Sequence, residues 1–185
     1  MAMLVIGVVL WIGAHTFQRF LPDARARLGV RGKGPVALIL LFSLLLMVLG
    51  YRAADTIPVF TPLPGVGHLN NLLMLFAIFL FGAGSAKGQV AAKIRHPMLW
   101  GAVVWATAHL LVNGDLASVI LFAGIGLWAV GQMTLINRAV GAWARPVPGP
   151  WSKDLRNLAI TLLIYAVIAW IHIWLGHNPF LGTYG

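Results

Sequence analysis

Apolar runs alternate with short polar stretches along the whole chain, and six of the runs approach the roughly 20 residues that a bilayer-crossing helix needs. They are Met3–Phe20, Pro35–Tyr51, Leu69–Ala86, Pro97–Asn113, Leu116–Ile136 and Leu158–Gly176. Pro35 and Pro97 suit first-turn positions, where the missing N–H has no helical partner in any case. The fourth and fifth runs are divided only by Asn113-Gly114-Asp115, a turn composition that predicts two antiparallel neighbouring helices. Arg52–Gly67, with Pro58, Pro62, Pro64 and Gly65, and Arg145–Pro150 read as loops. The pattern predicts an all-α, polytopic integral membrane helix bundle with six transmembrane helices. No linker or shift in composition divides it, so 1–185 reads as a single domain. Gly84 with Gly88, and Ala102 with Ala106, are spacings that let membrane helices approach closely.

The polar stretches carry an orientation signal. Twelve of the thirteen Lys and Arg residues fall into three clusters, Arg19–Lys33, Lys87–Arg95 and Arg138–Arg156, and only Arg52 lies elsewhere. Short loops rich in Lys and Arg stay on the cytoplasmic side. Alternate connections are basic here, so six crossings place both termini on the outer side. The first run lacks a positive leader and its charges follow it, which predicts a retained anchor and not a cleaved signal peptide.

Composition agrees. The chain is 60% hydrophobic and 9% charged, whereas a soluble domain carries about 25% charged residues. A lipid bilayer is the partner that such a surface requires. The net charge of +9 is not a nucleic-acid signature, because the basic residues punctuate spans instead of lining a face with interleaved aromatics. The chain has no Cys, so neither a disulfide framework nor thiolate chemistry is available. It has no Glu and only four Asp, at Asp23, Asp55, Asp115 and Asp154, which argues against a paired-carboxylate mechanism.

Ionisable groups at membrane depth are the natural candidates for chemistry. His15 lies in the cytoplasmic half of the first run, on a stripe with Trp11 and Arg19. His109 lies in the outer half of the fourth, on a stripe with Trp105 and Asn113. Both stand in a Trp-x-x-x-His arrangement. His172 is near the outer end of the sixth run, and His68, His96 and His177 are at interfaces. Two readings of the buried imidazoles stay open at this point. In one they hydrogen-bond neighbouring helices, each bond worth about 1 kcal/mol. In the other they ligate a metal centre, for which two His without Cys or Glu suit haem better than tetrahedral zinc. The richest stretch runs from Lys93 to Asp115 and holds Arg95, His96, Trp100, Trp105, His109, Asn113 and Asp115. A basic helix start, packing tryptophans and a turn account for it without any cofactor.

The block Arg95-His-Pro-Met-Leu-Trp-Gly101, followed by Ala108-His-Leu-Leu-Val-Asn-Gly-Asp115, resembles the NnrU family of bacterial membrane proteins. So do Gly13-Ala-His-Thr-Phe-Gln-Arg19, the basic Arg-Ala-Arg-Leu after it, and Gly149-Pro-Trp-Ser-Lys-Asp154. The resemblance runs along most of the chain and implies a multi-pass protein of the bacterial inner (cytoplasmic) membrane associated with denitrification and nitric oxide metabolism. The family is in turn similar to 15-cis-zeta-carotene isomerase, a membrane enzyme that uses haem b and redox-dependent ligand switching. By that resemblance His15 and His109 correspond to its two axial ligands, and an apolar polyene or gaseous ligand is the expected substrate class. The isomerase carries a cysteine three residues before the second ligand, where this chain has Ala106; a methyl group cannot bind iron, so ligand switching is not expected.

His109 is fourteen residues past Arg95, about 21 Å along a helix, whereas His15 sits toward the inner side. A tilted haem, or a first helix continuing past Leu21, would reconcile the depths. Arg19 or Arg95 could pair with propionates, since carboxylate recognition favours Arg; both also suit a snorkelling interface role. Haem-site candidates are therefore His15, His109, Trp11, Trp105, Arg19 and Arg95, with His96, Asn113, Asp115 and His172 secondary. The alternative is a non-catalytic accessory protein for assembly or transport in denitrification. Arg95-His96-Pro97 is also similar to a motif of isoprenylcysteine methyltransferases, but those carry a Glu-containing motif that a chain without Glu cannot supply.

Overall fold

The computed structural model describes residues 1–181. Among the described residues seven α-helices form: α1 (Ala2–Phe20), α2 (Pro22–Leu28), α3 (Lys33–Arg52), α4 (Val66–Ala86), α5 (Pro97–Val112), α6 (Leu116–Val140) and α7 (Trp151–Trp174). Five of them, α1, α3, α4, α6 and α7, are long and apolar enough to cross a membrane. The expected fourth span is the short one. At 16 residues, α5 reaches about 24 Å, less than a hydrocarbon core of about 30 Å.

Local sequence explains most boundaries. Pro22 ends α1, which closes with the Leu21 N–H donating to the Phe17 carbonyl at 2.9 Å. The first helix thus does not continue past Leu21; a short separate helix follows at Pro22–Leu28. Pro97 occupies the first turn of α5, as its missing N–H favours. Pro35 also falls in a first turn, as the third residue of α3, which begins at Lys33. The last helix is the largest departure: it starts at Trp151, not Leu158. Its polar first turns are held by tertiary docking, with the buried Asp154 carboxylate accepting the Gln89 N–H at 2.7 Å.

Close backbone approaches order the bundle. A Cβ on Gly50 of α3 would lie 2.3 Å from the Leu4 nitrogen, so α1 and α3 nearly touch. Gly124 of α6 lies against Val8 of α1, and Gly126 of α6 against Ala106 of α5. Gly101 of α5 lies on Ala77 and Phe81 of α4, and Gly82 of α4 on Asn157 of α7. The neighbour order is therefore α3, α1, α6, α5, α4, α7, with α5 and α6 antiparallel as the Asn-Gly-Asp turn predicts. α1 and α6 run in the same direction. These registers gather the three basic clusters at one end of the bundle, and Arg52, Asp55 and Asp115 at the other.

The proline-rich connection 53–65 is more than a loop. The Gly114 carbonyl accepts the N–H groups of Val59 at 2.8 Å and Phe60 at 3.0 Å, and Leu116 N–H donates to Ile57 at 2.8 Å. The segment is thus pinned over the α5–α6 turn. Only glycine fits at position 114, where a Cβ would lie against the Phe60 carbonyl.

Candidate functional site

Helix α6 carries the two halves of the site. It opens with Asp115 as its cap: the carboxylate accepts the Ser118 N–H at 2.9 Å and also the Ser118 hydroxyl. A π turn follows at Val119–Ala123. Such turns are local insertions into an α-helix and frequently accompany functional sites. Phe122 lies within this one.

His15, half-buried on α1, meets the middle of α6. Its ring centroid lies 4.6 Å from Trp128 and 4.3 Å from Trp11. The two indoles meet edge to face at 5.6 Å. The Gln132 amide donates to the His15 carbonyl at 3.4 Å. Three buried polar atoms around this histidine have no hydrogen-bond partner among the described residues: Trp11 Nε1, Trp128 Nε1 and Gln132 Oε1. Buried polar groups are paired in the large majority of cases, so these two donors and one acceptor are exceptions within the described residues.

His109 of α5 meets the start of α6. It stacks on the buried Phe122 at 4.5 Å with 22° between planes, and Trp105 closes the cluster at 5.0 Å from each. Tyr51 of α3 meets Phe122 at 6.1 Å, and its hydroxyl is 2.8 Å from Ser118 Oγ. A chain of polar contacts therefore links Tyr51, Ser118 and Asp115 next to the His109 aromatic group.

Both imidazoles share one device. His15 Nδ1 is 3.0 Å from the Trp11 carbonyl and His109 Nδ1 is 2.9 Å from the Trp105 carbonyl, each four residues back. A carbonyl only accepts, so Nδ1 carries the proton, and in the neutral form of the ring the lone pair is then at Nε2. His172 of α7 repeats the arrangement with Ile168 at 2.8 Å. In a metal site, such an Nδ1–H bond fixes tautomer and ring orientation.

The remaining candidates separate by place. Arg19 follows His15 by one turn and, with Arg25, lines a cavity of about 450 Å³. Arg95 precedes α5, at the end away from His109; its guanidinium donates to the Gly141 carbonyl at 2.8 Å. His96 joins it at that end, with Nε2 2.8 Å from Asn137 Oδ1. These two residues tie the start of α5 to the end of α6. Asn113 donates back to the His109 carbonyl at 2.8 Å and closes the helix. Among the described residues no group of three or more His, Cys, Asp or Glu is placed to hold a metal ion.

The structure brings His15 together with Trp11 and His109 together with Trp105, and sets both pairs on α6. Their contacts on α6, Trp128 and Phe122, are six residues apart, roughly 9 Å along the axis. Trp128, Gln132, Phe122 and Tyr51 are the members that sequence reasoning missed. Gln132, an amide inside an apolar run, was the one available signal.

The architecture and the site define a multi-pass helical membrane protein with paired Trp-His elements on two helices facing a third. The model of the NnrU protein family matches residues 3–179. The chain belongs to that family. Comparison with curated proteins gives no match, and comparison with solved structures gives none.

Proposed function

We propose that this NnrU-family protein binds haem b between α1, α5 and α6, with His15 and His109 as axial donors, and serves a redox- or nitric-oxide-linked, denitrification-associated role. The observation that carries this reading is the shared imidazole geometry: in two helices flanking α6, Nδ1 is tied to the carbonyl one turn back and Nε2 is left without a hydrogen bond among the described residues. The unpaired polar atoms of Trp11, Trp128 and Gln132 support it. The donor set is compatible with haem, since imidazole is one of the side chains that commonly hold its iron.

In this reading Trp11 and Trp105 supply the carbonyls that orient the imidazoles and the rings that exclude water. Arg19, one turn below His15, is the proposed propionate partner. When bound, haem would supply a redox-active iron to an apolar polyene arriving through lipid, or to a gaseous ligand that displaces one imidazole. Isomerisation resembling that of 15-cis-zeta-carotene isomerase is the enzymatic form of this proposal. Ala106 is buried against Gly126 and offers no donor, so exchange of an imidazole for a thiolate is not part of it. We further propose six crossings of the bacterial inner membrane, with α5 as the short one, the basic end cytoplasmic and both termini periplasmic.

A second reading, a non-catalytic assembly or transport accessory, draws on a different observation. Aromatic rings cover faces of both imidazoles, and their levels on α6 differ by roughly 9 Å. Shared ligation requires this interval to close as the rings swing aside. Visible absorption of the full chain purified from haem-supplied cells separates the readings. The first predicts haem bands that depend on His15 and His109; the second predicts none, together with a protein partner recovered by pull-down.

A further inference from the structure

At the basic end of the bundle, away from the histidines, a cavity of about 460 Å³ opens between the α4–α5 connection and the segment 141–150. Lys87 and Arg95 line it, and Gly84 and Gly88 form its floor. Trp143 and Val147 are apolar walls, and the Arg145 guanidinium lies 5.6 Å over the Trp143 ring. Two cations, Lys87 and Arg95, thus line one opening. The nearest acidic group, Asp154, is buried behind Gly88, with both carboxylate oxygens accepting the N–H groups of Gln89 and Val90.

The opening is built, not a gap between loose loops. Gln89 Nε2 donates to the Gly149 carbonyl at 2.7 Å, and a Cβ at Gly149 would lie 2.1 Å from the Lys87 carbonyl. Lys87 itself adopts φ 54° and is the only non-glycine residue with positive φ among those described. A lysine held where glycine is the ordinary choice costs about 1 kcal/mol or more. Arg95 is fixed by its bond to Gly141, which engages one of its five N–H donors and leaves others for a ligand.

We propose that this cavity binds a phosphate group, presented by an anionic phospholipid headgroup at the basic membrane surface. Lys87 supplies a point charge, Arg95 a planar donor set suited to phosphate oxygens, and Trp143 and Val147 contact the glycerol region. Basic pockets between membrane helices recognise lipid headgroups by this combination. The proposal does not depend on the haem reading.

The test is native mass spectrometry of the full chain in uncharged detergent, titrated with short-chain phosphatidylglycerol, phosphatidylcholine or inorganic phosphate. Phosphatidylglycerol is expected to bind in one equivalent and to outcompete phosphatidylcholine. Each removed cation should weaken it about fivefold, so K87Q/R95Q should lose about twenty-five-fold. R31Q/K33Q, in a different basic cluster, should change little. V147E keeps the proposal testable if the double variant misfolds: Val147 is 91% exposed, so the change spares the fold while placing an anion on the cavity wall. Displacement of phosphatidylglycerol by inorganic phosphate, with the same dependence on Lys87 and Arg95, would support the phosphate site with a free anion as its source. Equal binding of the two lipids, full binding to K87Q/R95Q and V147E, or an equal loss in R31Q/K33Q would overturn it.

Discussion

His109 and Phe122 stack face to face, 4.5 Å apart with 22° between planes, where α5 meets the π turn of α6. The phenyl ring is buried and occupies one face of the imidazole. Replacing it by alanine leaves a cavity and should destabilise the cofactor-free protein by about 3–5 kcal/mol. Phe122→Ala should also free the imidazole and speed haem uptake. Thermal unfolding and stopped-flow haem binding check the two effects; a stable variant with unchanged uptake would show that the stack gates nothing.

The closest helix pair yields a sharper stability test. At Gly50, α3 passes so near α1 that a methyl group would meet the backbone of Leu4. Gly50→Ala should cost about 3 kcal/mol through overpacking, although alanine is the better helix former. Gly13, on α1, is the control, because a methyl group added there would meet nothing within 4 Å. Gly13→Ala should stabilise by up to about 1 kcal/mol. Unfolding in detergent followed by circular dichroism measures both.

Asp154 anchors the start of α7. Removing its carboxylate leaves the N–H groups of Gln89 and Val90 without their acceptor, at about 1–3 kcal/mol for each buried group left unpaired. Asp154→Ala should therefore expose the connection 87–92 to limited proteolysis and lower the unfolding temperature. Asp154→Asn, which keeps one acceptor oxygen, should lose less. Equal behaviour of the two variants would show that the carboxylate hydrogen bonds do not hold this joint.

The helices are legible in the sequence where local chemistry sets them. Pro97 starts α5, Asn113-Gly114-Asp115 turns it into α6, and the apolar runs mark the five long spans. The sequence is silent where a distant partner decides. Trp151–Asn157 reads as polar, yet it is helical because Asp154 docks on a turn 65 residues earlier. The break at Leu21 is signalled by Pro22, although the depth of His15 would have suited a longer helix. At the site, the Trp-x-x-x-His spacing correctly pairs each ring with its own helix. It does not show that α6 supplies Trp128, Gln132 and Phe122, because apart from the amide of Gln132 nothing local to α6 reports what faces it. Arg95 and His96 share the motif stretch with His109, but they precede α5, whose length separates them from it, and they bind Gly141 and Asn137 at the other end.

The central claim is tested by the reduced and oxidised absorption spectra of the haem-loaded full chain, compared with His15→Ala, His109→Ala and the double variant. The account predicts one haem per chain with a six-coordinate, low-spin spectrum in the wild type. Each single variant should lose that spectrum, and the double variant should lose haem altogether, with retained helical circular dichroism. No haem bands in the wild-type protein, or an unchanged spectrum in the double variant, would contradict it.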